Sequence, residues 1–184
     1  MALTVTSILA FLVGPNLRDY VRNSRLTGAS NDLIHSLSVA RAEAVKRQQN
    51  VVVCASNAPL QAAPACSGGS FHGWFVFVDL NKNSQFDGQD VLLEQHDLVD
   101  ASVTVVQDGS SLQTYAPTGF ALPPLAGVVP TRNVVLCDQR GNVADMVGTS
   151  TARTVMVTAT GRPRVSRTIG DVTTALGAIG AGCP

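Results

Sequence analysis

The chain of 184 residues has no net charge, 13 basic side chains being matched by 13 acidic ones. As a whole it therefore has no preference for a polyanion. It lacks any C-x-x-C, and its three histidines, His35, His72 and His96, stand alone. Zinc would favour close-spaced cysteine pairs together with histidines. H-E-x-x-H, G-x-S-x-G, a P-loop and paired carboxylates beside a nucleophile are all missing, so no catalytic chemistry and no cofactor are expected. A bilayer-length hydrophobic run is missing too. Residues 2–13 are apolar or carry a hydroxyl, but a helix of that length reaches only about 18 Å against a hydrocarbon core of roughly 30 Å. No Lys or Arg precedes this run and no A-x-A cleavage site follows it, unlike a secretory signal. An uncapped, all-round apolar segment is equally unlike the start of a soluble core helix.

What is present is unevenly distributed. Residues 16–50 carry six basic and three acidic side chains, residues 79–108 seven acidic side chains and one Lys, and residues 150–184 four Arg and one Asp. The neutral total hides two basic ends and an acidic middle. Four cysteines, Cys54, Cys66, Cys137 and Cys183, are far apart in sequence, which favours two disulfides and an oxidising compartment outside the cytoplasm. Three connectivities are possible; the local pairing, Cys54 with Cys66 and Cys137 with Cys183, is the one expected here. Those loops would contribute on the order of 3 and 4 kcal/mol by chain entropy.

After Gly14 and Pro15, apolar residues recur at three- and four-residue steps: Leu17, Tyr20, Val21, Leu26, Ala29, Leu33, Leu37, Ala40 and Ala44. This spacing predicts an amphipathic helix over residues 16–50, ending near residues 48–50 with Lys46 and Arg47 against its C-terminal dipole. Pro15 is expected to break or kink the chain, with Asn16 as a local N-cap. Short β-type runs follow at residues 51–54, 74–78, 91–93, 103–106, 134–137 and 154–158, separated by Gly, Pro, Asn and Asp clusters. The tail from residue 169 is rich in Gly, Ala and Thr and reads as loose but for Cys183. One long helix followed by an antiparallel β-domain is an α+β arrangement, with two sheets expected. The divisions are residues 1–15, 16–50 and 51–184.

Two clusters carry possible chemistry. Asp79, Asn81, Asn83, Asp87 and Asp90 place oxygen side chains in the order of a calcium loop. Ser84 stands where that loop has Gly, Asp90 is shorter than the usual Glu, and strands flank the segment. An Asn/Asp-rich turn needs no metal, so a plain turn is the first reading and a weak calcium site the alternative. The second cluster is Arg162, Arg164 and Arg167 around Pro163. Guanidiniums on a short stiff loop suit phosphate, whereas "TGR" is also an ordinary strand-end turn. Trp74 reads as a core residue.

The segments GPNLRDYVRNSRLTGASNDLIHSLSVARAEAVKR, VVVC, GWFVFVDLNKNSQFD and TGRPR, in this order, resemble the GspH/FimT family of minor pilins and pseudopilins. The resemblance implies an N-terminal helix that sits in the inner membrane, with the β-domain in the periplasm, and later packs among other pilins or pseudopilins in a fibre. It also implies a basic leader cut by prepilin peptidase, then N-methylation. Measured back from Pro15, Met1 would fall at an internal methionine of that pattern, with the leader and processing Gly upstream. Some seven further apolar residues would bring the segment to about 20, the length a bilayer requires. The Arg162 segment resembles the GRxR motif of members linked to DNA uptake, which makes DNA a possible partner. A type IV pilus is the expected machine, and a type II secretion system the alternative.

Overall fold

The computed structural model describes residues 2–66, 72–97, 100–107, 111–122 and 132–183, with side chains from residue 17 onward except at 111 and 112. The side chains of the apolar run at residues 2–13 therefore lie outside the description. In chain order the elements are α1 (Ala2–Arg47), β1 (Asn50–Ser56), β2 (Gly73–Asp79), β3 (Val91–Asp97), β4 (Thr104–Gln107), β5 (Ser111–Tyr115), β6 (Ala121–Leu122), β7 (Arg132–Cys137), β8 (Thr149–Val157), β9 (Pro163–Thr168) and α2 (Ile169–Ile179). α1 continues through Gly14 and Pro15, so the expected break and the Asn16 cap are corrected. A single proline removes one N–H from the ladder while the turns on either side keep theirs.

The strands form two antiparallel sheets, ordered β3-β2-β1-β5-β6 and β4-β7-β8-β9. Side chains alternate across each strand, and the alternation here builds three layers of packing. Leu26, Leu33, Leu37, Ala40 and Ala44 of α1 meet Val51 and Val53 of β1, Trp74 and Val76 of β2, Leu136 of β7 and Val155 of β8 in one core. The other parity of the first sheet, Val52, Cys54, Phe75 and Phe77, packs beneath Phe86 and Cys66. The other parity of the second, Val135, Cys137 and Ala152, packs beneath Val172, Ala175 and Leu176 of α2.

Each back face is thus roofed by a loop or helix, and each roof is fastened by one disulfide: Cys54–Cys66 and Cys137–Cys183. The tail that composition made loose is a helix. Thr168 caps it by accepting from the Asp171 N–H at 3.2 Å, and its apolar residues fall at positions i, i+3 and i+4.

One polar chain locks α1 to the first sheet. The buried Trp74 indole N–H donates to Ser36 Oγ at 2.9 Å, and Ser36 Oγ donates to Glu94 at 2.9 Å. His96 stacks on Trp74 with ring centroids 4.4 Å apart.

Candidate functional site

Arg25 of α1 pairs with Asp100 at 2.7 Å, and Arg41 and Arg140 tie α1 to the β-domain near opposite ends of their contact. Arg41 donates to the Gly119 carbonyl at 3.0 Å and to the Thr160 carbonyl at 3.1 Å. Gly161 in the same turn has φ +78°, and a Cβ there would collide with the Gly119 carbonyl oxygen; only glycine allows that approach. At the other end Arg140, from the β7–β8 connection, donates to Asn23 Oδ1 at 3.0 Å and lies 3.6 Å from Asp19. It also holds Asp138 through Nη2 at 2.6 Å. Burial pushes the Asp138 carboxyl up, but the Arg140 side-chain and backbone hydrogen bonds outweigh it, leaving the carboxyl below its ordinary range. β8 accordingly runs from the Asn23 end of α1 to the Arg41 end.

The arginine cluster is divided by this frame. Arg162 closes the β8–β9 turn, where Thr158 N–H donates to its carbonyl at 3.2 Å, and its side chain is exposed at the Arg41 end. Arg164 lies opposite Met156 in the sheet, with Nη2 3.7 Å from Met156 Sδ. On that face is Asp171, whose carboxyl is held low by hydrogen bonds from Ser166 and Thr168, with a smaller contribution from Arg164. Arg167, three residues on, falls on the opposite face of the strand. Its neighbour there is Arg153, 2% exposed and donating to the carbonyls of Thr151 and Ala152. Burial, then the charges of Arg167 and Arg140, push the Arg153 guanidinium down to about 10. The three arginines therefore form no single loop patch: Arg162 is exposed in the turn, Arg164 lies on the Met156 face, and Arg167 is turned away. Among the described residues, none of the three has a carboxylate within ion-pairing distance.

In the acidic loop the oxygens face the loop's own backbone. Asp79 accepts from the N–H groups of Asn83 and Ser84, Asp90 from those of Leu80 and Asp87, and Asp87 from that of Gln89. These side-chain to backbone hydrogen bonds within the loop are those of an Asn/Asp-rich turn. Among the described residues, no group of three or more acidic, His or Cys side chains is placed to hold a metal.

Sequence reasoning missed Arg41, Arg140 and Arg153. Their positions in the sequence carry no signal, because their roles depend on contacts made across more than 75 residues or on burial.

A long helical stalk laid along two antiparallel sheets, with its N-terminal part extending past them, defines a pilin-like protein. The chain belongs to the family described as type II transport protein GspH, whose model matches residues 29–161. It is similar in fold to the type IV minor pilin FimU of Pseudomonas aeruginosa strain PAO1. In one crystal form the TM-score is 0.53 at 20% identity, covering 80% of this chain and 92% of that one. In a second form it is 0.50 at 19%, covering 77% and 92%. No curated protein matches the sequence. Among the described residues, no helix is long and apolar enough to cross a membrane.

Proposed function

We propose that the chain is a minor-pilin-like structural subunit of a type IV pilus, held in the inner membrane by the start of α1 before it joins the fibre. The observation that carries this is the division of α1. From Leu26 onward its apolar stripe is buried in the domain, whereas Leu17 is 58% and Tyr20 71% exposed. The 46-residue helix is about 69 Å long at 1.5 Å per residue, and the domain covers only its C-terminal part. An apolar helix face left outside its own domain needs lipid or sister helices around it.

The family description, a type II transport protein, supports a second reading as a secretion pseudopilin. Deleting the gene distinguishes the two. Loss of surface pili with exoprotein secretion intact supports the pilus, and the reverse supports the secretion machine. No effect on either overturns both.

DNA capture is a further role of the pilus reading, supported by Arg162 and Arg164 exposed at the end of the domain away from the apolar helix. Two phosphate contacts would give a log–log salt slope of only about −2 on duplex DNA. Unchanged DNA retardation and transformation in the Arg162→Ala, Arg164→Ala variant removes this role.

A further inference from the structure

The β7–β8 connection ends in a tight turn whose chemistry is out of place. The Asp145 carbonyl accepts from the Gly148 N–H at 3.2 Å, making Met146 and Val147 the two corner residues. Gly148 follows with φ +78°, the left-handed residue that a three-residue hairpin loop requires. Asp145 Oδ1 accepts from the N–H groups of Val147 and Thr149 at 3.0 and 2.7 Å, and Asp145 N–H donates to the Thr149 carbonyl at 2.8 Å. The turn is therefore pre-organised. Corner positions of this kind are ordinarily taken by Gly, Pro, Asn, Asp or Ser. Here Met146 is 105% and Val147 84% exposed, with Val143 exposed behind them.

The place of this turn gives the exposure a meaning. β8 begins at the Asn23 end of α1, and the turn precedes β8, so the apolar tip lies at the end from which the apolar part of α1 departs. Arg140 fastens the same hairpin to Asp19 and Asn23. Those residues stand about 9 and 15 Å along the helix from Val13, at 1.5 Å per residue. Extended chain from Val143 to Met146 reaches about 10 Å, and the headgroup layer on one side of a bilayer is roughly 5–8 Å thick. The hairpin has the reach to touch lipid once α1 is embedded.

We propose that the Met146 and Val147 turn is a second membrane contact: a rigid apolar wedge that enters the headgroup boundary beside α1 and fixes the tilt of the β-domain on the bilayer before assembly. The proposal rests on the membrane reading of α1. The wedge meets a lipid surface rather than a protein because it shares an end of the domain with the apolar helix. α1 alone would leave the domain free to swivel about one rod; a second contact removes that freedom.

The test uses the full chain in vesicles of phosphatidylethanolamine and phosphatidylglycerol, with Met146→Trp and, separately, Leu17→Trp. Trp74 is fully buried and supplies a constant background in both variants. The expected result is a blue-shifted added emission for Met146→Trp, lost when the vesicles carry lipids brominated near the headgroup. If Leu17→Trp is quenched while Met146→Trp keeps a water-exposed, unquenched emission, the helix is embedded and the wedge is wrong. If neither is quenched, the membrane reading has failed and the wedge falls with it. Intact disulfides on a non-reducing gel show that each variant has folded.

Discussion

The two stretches of α1 have the same kind of apolar periodicity and opposite fates. Leu26, Leu33 and Leu37 are sealed between two sheets, while Leu17, Tyr20 and Val21 face outward on the same helix. The first stretch stabilises the domain; the second contributes almost nothing to it. Periodicity therefore says that a helix has a greasy face but not what covers it. Coverage is decided by where the β-domain stops, at the Arg140 contact with Asn23 and Asp19.

The largest effects should come from the sealed stretch. Leu33→Ala and Leu37→Ala together should cost about 2–5 kcal/mol for each truncation, read as a lower urea midpoint. Opening the roof of the second sheet with Cys137→Ser and Cys183→Ser should cost about 4 kcal/mol by chain entropy for a separation of 46 residues. The first sheet's bridge, separated by 12 residues, should cost about 3 kcal/mol by the same relation. Ser36→Ala leaves the Trp74 indole N–H without its acceptor, a loss of about 1–3 kcal/mol in thermal or denaturant melts.

Acid should have a smaller, local effect. Asp138 is held below its ordinary range in the folded chain, so its contribution is present above the unfolded aspartate value of about 3.9. That contribution is lost as pH falls through the lower folded value. Amide protection relative to intrinsic exchange should therefore fall first in the hairpin tied by Arg140, ahead of the turn held by Arg41, as pH drops below about 4. Smallest of all, Leu17→Ala with Tyr20→Ala should move stability by no more than about 0.5 kcal/mol while reducing recovery of the chain in sheared fibres.

Much of the fold was legible because it depends on local pattern. The helix from Leu17 to its end and six of the strands follow from periodicity and turn residues, while the two sheets and the local disulfide pairing, chosen from three connectivities, agree with the structure. β5, β6 and β9 were not legible. β5 reads Ser-Leu-Gln-Thr-Tyr, and its buried Gln113 donates through Nε2 to the carbonyls of Thr114 and Leu122, which no sequence window displays. β9 starts at a proline and survives on the edge of its sheet, where a missing N–H costs no ladder bond. α2 was hidden by Gly170, Gly177 and β-branched residues of low helix propensity, although Thr168 followed by Asp171 is a readable cap. The arginine cluster was located but not resolved, since strand pleating, not spacing along the loop, sends Arg164 and Arg167 to opposite faces. The apolar turn at Met146 and Val147 was not among the features read from the sequence. Its meaning required knowing which end of α1 lies beside it.

The most direct test of the central claim is alkaline carbonate extraction of membranes from cells producing the full-length chain. The account predicts that the protein stays in the membrane pellet with both disulfides formed; release into the soluble fraction with free thiols would contradict it.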